Sequence, residues 1–128
     1  MTTLILFDVD GTLTESRLKI KQNMIDTIDK LKQLENLDIG IVGGSNLPKQ
    51  EEQLGIEILD KFKWKFSEKG LVAYHHNELI NKTSIADFLG EDKIKRVINT
   101  ILGHLATVDI PKKRGTFIEF RNGMINCC

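Results

Sequence analysis

The chain has few cysteines, no excess of either charge and no long apolar run, and each shortage excludes a class of protein. Its only cysteines, Cys127 and Cys128, are the last two residues. They cannot cross-link a core, and no Cys or His spacing indicates zinc. We expect both thiols to be exposed. Lysine plus arginine equals aspartate plus glutamate at 18 each, which favours neither nucleic acid nor an anionic membrane as a partner.

Long hydrophobic segments are also missing. No apolar run approaches the about 20 residues that cross a bilayer. The first ten residues, MTTLILFDVD, lack the basic start and long apolar stretch of a signal peptide. We therefore expect a cytoplasmic protein without a membrane partner. A length of 128 residues, 41% of them hydrophobic and 28% charged, is typical of one ordinary globular domain.

The most informative segment is LILFDVDGT at positions 4–12. An apolar strand ends in two carboxylates, Asp8 and Asp10, and the chain then turns through Gly11 and Thr12. Open α/β sheets bind ligands beyond the carboxyl ends of their strands. There, one carboxylate can attack a phosphorus atom and the other can move a proton. Two acids this close repel unless a hard cation such as Mg²⁺ lies between them. An acidic turn after a buried strand is the alternative, but the apolar strand and the Gly-Thr pair favour a functional site.

Hydrophobic periodicity predicts an α/β fold before residue 82. The predicted strands are 3–7, 37–42, 64–66, 71–74 and 78–81, and the predicted helices are 21–34 and 50–62, the latter with a break near Gly55. The alternation of strand and helix is typical of a parallel sheet. Because the first strand is apolar on both faces, its pattern is that of a central strand.

The pattern changes after residue 82. Apolar residues at i, i+3, i+4 and i+7 predict a helix from about 91 to 106, with its stripe packed in a core. A strand is expected at 116–121, followed by a hairpin turn at Asn122-Gly123 and a returning strand at 124–126. The sequence pattern therefore indicates a change of organisation near residue 82.

The segment at 4–12 resembles the first motif of the haloacid dehalogenase-type phosphotransferases. Three further segments resemble the eukaryotic phosphomannomutase family: IVGGS at 41–45, SEKGLVAY at 67–74 and PKKRGTFIEFRNGM at 111–124. The resemblance implies a Rossmann-like parallel sheet core, begun by residues 1–81, followed by a partial α+β cap domain over 82–128. Members of this family continue for about as much again, so we expect an N-terminal half whose first strand lacks one neighbour and leaves an exposed edge.

The resemblance also implies a function. Such enzymes interconvert mannose 6-phosphate and mannose 1-phosphate for GDP-mannose synthesis, through an aspartyl-phosphate. Asp8 matches the nucleophile and Asp10 the general acid/base, and both match Mg²⁺ ligands. A hexose 1,6-bisphosphate acts as the activator, and the family forms a homodimer through the cap.

Three further residues match positions that bind the phosphosugar substrate. Ser45 matches a hydroxyl on the transferring phosphate, although it could also be a helix N-cap. Arg17 matches an arginine near the core, with a solvated loop cation as the alternative. Arg121 matches a cap arginine that binds the distal phosphate, since a planar guanidinium suits bidentate binding. Glu119 lies on the same face of the strand and could simply pair with Arg121.

Two alternatives to a mutase stay open. A sugar phosphatase of the same superfamily would use the same two aspartates and let water finish the reaction. A truncated, non-catalytic fragment or isoform would bind or dimerise without turnover. In this family the lysine that steadies the phosphoaspartate and further Mg²⁺-binding acids follow the cap. We therefore expect the 128-residue chain itself to be inactive.

Overall fold

A computed structural model describes residues 1–127 of the chain. The chain folds into two compact units, the first spanning Met1–Lys82 and the second beginning at Thr83. Cys127 is exposed, as expected, whereas the expectation for Cys128 falls outside the described residues. Among the helices of residues 1–127, none is both long enough and apolar enough to cross a bilayer.

The first unit alternates strands and helices before it ends in a hairpin. Its elements are β1 (Thr3–Asp8), α1 (Gln22–Lys32), β2 (Leu37–Val42), α2 (Leu47–Leu54), α3 (Ile56–Leu59), β3 (Trp64–Ser67), a 3-10 turn (Glu68–Gly70), β4 (Val72–His75) and β5 (Glu78–Lys82). The predicted break near Gly55 is confirmed, because this residue separates α2 from α3 with a φ of 81°.

The five strands form one sheet in the order β1-β2-β3-β4-β5. The first three strands run parallel, and β4 and β5 are antiparallel to their neighbours. The predicted α/β class is confirmed. The alternating helices connect the parallel strands, and tight turns connect the antiparallel strands. His76 and Asn77 both have positive φ and form the predicted turn between β4 and β5.

The core of the first unit lies between the sheet and its helices. Its buried members are Val9, Leu13, Ile28, Ile39, Ile41, Leu54, Leu59 and Phe62. On β1, by contrast, Leu4 and Leu6 remain 43% and 45% exposed. β1 lies at an edge of the sheet, which confirms the expectation of a first strand with one neighbour and an exposed edge, although its apolar pattern is typical of a central strand. Two apolar faces indicate that other elements can pack on both faces of a strand, but they do not indicate how many strands are hydrogen-bonded beside it.

Gly40 lies between Leu6 and Trp64 in the register of β1, β2 and β3. A Cβ at this position would stand 2.7 Å from Leu6 Cδ2 and 2.8 Å from Trp64 Cβ. The glycine therefore lets two large side chains on neighbouring strands approach each other across β2.

The second unit contains α4 (Ile85–Leu89), α5 (Glu91–Thr107), β6 (Ile118–Phe120) and β7 (Ile125–Cys127), of which β6 and β7 form an antiparallel ribbon. The predicted turn at Asn122-Gly123 joins the two strands, with Arg121 N donating to Met124 O at 2.9 Å. The stripe on α5 differs from the prediction of core packing. Ile94 is buried, but Val97 and Leu102 are 41% and 44% exposed, so part of the apolar stripe of this 17-residue helix faces solvent.

Candidate functional site

The carboxyl ends of the parallel strands bring three loops together at one edge of the sheet. β1 ends at Asp8, β2 ends just before Gly43, and β3 ends at Ser67. Lys69 N donates to Gly43 O at 2.8 Å, so the loops after β2 and β3 are in direct contact. This edge is where open α/β sheets bind their ligands.

A tight turn after Asp8 fixes the position of Asp10. The carbonyl of the buried Val9 accepts hydrogen bonds from the backbone N–H groups of Leu13 and Thr14, at 3.1 and 3.0 Å, and from the Thr14 hydroxyl at 3.3 Å. Gly11 allows the turn, with a φ of 79°. Asp8 and Asp10 therefore leave the strand in a defined geometry and are both exposed to solvent.

The carboxylate of Asp10 is held by two donors on one oxygen. Arg17 N donates to Asp10 Oδ1 at 2.8 Å, and Gln53 Nε2 donates to the same oxygen at 2.7 Å. The Arg17 N–H first and the Gln53 amide second hold the pKa of Asp10 below its ordinary value. At neutral pH, Asp10 is therefore an ionised carboxylate.

Gln53 is the residue of this site that sequence reasoning missed. It lies on α2 with 3% of its surface exposed, 43 residues from Asp10 in sequence. Its carbonyl also accepts a hydrogen bond from Ile20 N at 3.0 Å, so Gln53 contacts both ends of the loop between β1 and α1. The only signal in the sequence is a glutamine on the inward side of an amphipathic helix, and that position alone does not name its partner.

Asp8 and Asp10 offer only oxygen donors, and these are the donors that a hard cation such as Mg²⁺ prefers. They fit one side of such a site. Within residues 1–127, however, no group of three or more His, Cys, Asp or Glu side chains could hold a metal. The described residues thus offer two carboxylates of the kind that a magnesium site uses.

Ser45 follows β2, and it is not the N-cap of the next helix. That position belongs to Asn46, whose Oδ1 accepts a hydrogen bond from Lys49 N at 3.2 Å. Within residues 1–127 the Ser45 hydroxyl makes no hydrogen bond. The alternative role that the sequence left open for Ser45 is therefore taken by its neighbour.

Arg17 contributes its backbone to the site. It has a φ of 62°, in the left-handed region, and this conformation directs its N–H to Asp10. Of the four residues that the sequence singled out in the first unit, Asp10 and Arg17 are in direct contact. Asp8 ends β1 and Ser45 follows the neighbouring parallel strand β2, so both lie at the carboxyl ends of adjacent strands.

Arg121 lies in the second unit, at the end of β6. Its side chain is 20% exposed, and Nη2 donates to Glu119 Oε2 at 2.7 Å. Asn126 Nδ2 donates to the same carboxylate oxygen at 3.3 Å. Arg121 first and Asn126 second lower the pKa of Glu119. The pairing that the sequence left open is therefore present, and it fixes the guanidinium on the ribbon.

Comparison with known proteins gives one consistent family. The family model for eukaryotic phosphomannomutase matches residues 24–128. A phosphomannomutase from Galdieria sulphuraria is 55% identical over 124 residues, and one from Saccharomyces cerevisiae is 50% identical over 124 residues. Each alignment covers 97% of this chain, and 49% and 48% of these two relatives. The chain thus spans about half the length of the curated relatives that it matches.

The fold is also found in solved structures. A phosphatase of the haloalkanoate (HAD) enzyme superfamily from Bacteroides thetaiotaomicron aligns with a TM-score of 0.55 and 23% identity, over 77% of this chain and 37% of that one. This likeness supports the architecture alone.

Proposed function

Because this chain belongs to the eukaryotic phosphomannomutase family, we propose that it carries the catalytic start of a phosphomannomutase. The reaction is the interconversion of mannose 6-phosphate and mannose 1-phosphate, serving GDP-mannose synthesis. Residues 1–81 form the first part of the catalytic core, and residues 82–128 form the start of the cap. The observation that carries the proposal is the Asp10 carboxylate, ionised and held by Gln53 and Arg17, two residues beyond Asp8 at the ligand-binding edge of the sheet.

The proposed chemistry uses Asp8 as nucleophile and Asp10 as proton carrier. A hexose 1,6-bisphosphate first phosphorylates Asp8. A hydroxyl of the sugar phosphate then attacks that phosphorus, the bond between phosphorus and the Asp8 oxygen breaks, and Asp10 takes the hydroxyl proton. In the opposite transfer, Asp8 attacks the phosphorus and Asp10 returns the proton to the departing sugar oxygen. The lowered pKa of Asp10 suits it to the transfer from Asp8 to the sugar hydroxyl, where Asp10 must begin as the base.

The other site residues bind and orient the substrate. The Ser45 hydroxyl donates to the transferring phosphate, Arg17 contacts the substrate beside Asp10, and Arg121 binds the distal phosphate. Mg²⁺ held by Asp8 and Asp10 would supply charge neutralisation for the phosphoryl group.

A cytoplasmic homodimer is part of the proposal. Association through the second unit would cover the exposed apolar residues of α5, of which Val97 and Leu102 are the most accessible. No feature of the chain favours a nucleic-acid or membrane partner.

One observation favours a second candidate, a chain that binds phosphosugar or a second subunit without turnover. Within residues 1–127 no three-ligand metal cluster is present, and two carboxylates alone bind Mg²⁺ weakly.

A mutase assay on the 128-residue chain tests both candidates. The mixture contains mannose 1-phosphate, a hexose 1,6-bisphosphate and Mg²⁺, and both mannose 6-phosphate and free phosphate are measured. We expect no product from the 128-residue chain itself. Mannose 6-phosphate formation that Asp8→Asn abolishes would support the mutase and overturn the expectation of an inactive chain. Free phosphate formed faster than mannose 6-phosphate would indicate a sugar phosphatase, and phosphosugar binding with neither product would support the binding-only candidate.

A further inference from the structure

Two successive residues after β3 have a backbone conformation that L-amino acids rarely adopt. Glu68 has a φ of 50° and Lys69 a φ of 58°, and neither is a glycine, asparagine or aspartate. Non-glycine residues in the left-handed region are strained, and such strain clusters at functional sites. The surroundings must therefore hold this pair in place.

Backbone hydrogen bonds to the loop after β2 provide that hold. Lys69 N donates to Gly43 O at 2.8 Å, and Glu68 N donates to Ser45 O at 3.0 Å. Behind them the Ser67 hydroxyl donates to Gln50 Oε1 at 2.9 Å, and both of these side chains are fully buried. The strained pair thus fixes the residues on either side of Gly44 as one rigid loop.

The same conformation places the Lys69 side chain over that loop. Its Cε lies 3.8 Å from the point at which a Cβ on Gly44 would stand, so the end of the side chain extends over the loop, with the ammonium group one bond beyond this contact. Lys69 is exposed, and within residues 1–127 no carboxylate forms an ion pair with it. A mobile cation with three donors is a good partner for a phosphate oxygen.

We propose that Lys69 is a phosphate-binding residue of this site, with its ammonium pairing with a phosphoryl group bound beside Gly44 and Ser45. The inference rests on the proposed phosphosugar chemistry and adds a cation that the motifs of the chain do not assign. This role also accounts for the strained backbone at Lys69, since a relaxed conformation there would direct the side chain elsewhere.

Titration of the isotope-labelled chain with inorganic phosphate at constant ionic strength tests the proposal. The backbone amide shifts of residues 43–45 and the Lys69 side-chain signals report binding. Lys69→Asn is the central variant, because asparagine tolerates the left-handed region and carries no charge. Lys69→Arg retains the charge, and Lys32→Asn removes a charge from an exposed lysine of α1. Trp64 fluorescence confirms that each variant is folded.

We expect Lys69→Asn to bind phosphate about tenfold more weakly, with Lys69→Arg and Lys32→Asn within about twofold of the parent chain. Equal affinity in Lys69→Asn and Lys32→Asn would overturn the proposal, as would phosphate that leaves the amides of 43–45 unmoved. Parallel assays with mannose 1-phosphate separate the two claims. Weakened phosphate binding without any mutase product would support Lys69 and the binding-only candidate. Mutase product with unchanged phosphate affinity would support the mutase and contradict the role of Lys69.

Discussion

At the scale of single residues, the geometry of Asp10 depends on a side chain from a distant helix. The sequence predicts Asp8, Asp10 and the turn that follows them, because a strand, two carboxylates and a glycine are adjacent in the chain. Gln53 could not be predicted in the same way, since its partner is 43 residues away and any inward polar residue of α2 would give the same pattern. Adjacent residues in the sequence identify the candidate carboxylates, whereas the residue that orients Asp10 is identified only by the packing of the folded chain.

Gln53→Met tests this orientation. The variant keeps the volume of the side chain but removes the donor, so the pKa of Asp10 should rise towards its ordinary value. The free energy of unfolding at neutral pH should fall by about 1 kcal/mol, a low value because Asp10 is exposed. A lowered pKa stabilises the folded chain above the ordinary pKa of aspartate, and this contribution is lost as the pH falls through the folded pKa. Urea unfolding should therefore show a difference that shrinks in acid.

A control for Gln53→Met is available on α1. Gln22 Nε2 donates to Asp26 Oδ1 at 2.9 Å on an exposed helix face, and Gln22→Met should change stability by less than about 0.5 kcal/mol. Equal losses in the two variants at neutral pH would contradict the importance of the Asp10 contact.

The carboxylate of Glu119 reports on the guanidinium of Arg121. Because Arg121 is the largest cause of its lowered pKa and Asn126 the second, Arg121→Met should raise the pKa of Glu119 more than Asn126→Leu does. Carboxyl carbon shifts followed through a pH titration measure both. The ion pair acts above the ordinary pKa of glutamate and disappears as the pH falls through the lowered value. An unchanged pKa in Arg121→Met would show that the pair does not form in solution.

At the scale of helices and strands, prediction succeeded where a hydrophobic period was long enough to detect. The helices α1 and α5 and the strand β2 lie within a few residues of their predicted bounds. The helix α4 was not predicted, since five residues are too few to show a 3.6-residue period. The partly exposed stripe of α5 also escaped prediction, because an apolar pattern shows what a helix can bury, not how much surface is there to cover it.

The start of α2 gives a direct test of the separate roles of two neighbouring residues. Asn46→Ala should lower the free energy of unfolding by about 1 kcal/mol, because it removes the side chain that caps Lys49 N. Ser45→Ala should change stability by less than about 0.5 kcal/mol, since Ser45 is not the cap. Thermal unfolding measures both, and a larger loss in Ser45→Ala would contradict the assignment of the cap.

The packing across β2 gives a second test at this scale. Gly40→Ala places a methyl group 2.8 Å from Trp64 Cβ, and overpacking of this kind should cost about 1–3 kcal/mol. Gly44→Ala is the matched control, because its Cβ would meet only the Lys69 Cε at 3.8 Å. Urea unfolding followed by Trp64 fluorescence compares the two. Similar stability of both variants would mean that β1 and β3 separate readily across Gly40.

At the scale of the whole molecule, the residues that the sequence singled out fall in both units, with Asp8, Asp10, Arg17 and Ser45 in the first and Arg121 in the second. The resemblance in sequence identified residues in both units because motifs can be compared without knowing how units are arranged. The sequence pattern alone would have stopped at the first unit, where two aspartates adjoin a strand.

The edge position of β1 affects how often this strand opens locally. Asp8 is the last residue of a strand that is hydrogen-bonded to β2 on one side, whereas β2 is hydrogen-bonded on both. Amide protons of β1 should therefore exchange with solvent deuterium sooner than those of β2, through openings smaller than global unfolding. Equal protection of the two strands would contradict this. If the order holds, the proposed nucleophile is carried by a strand that detaches before its neighbour β2, and the interval between detachments limits how long Asp8 keeps its place at the end of the sheet.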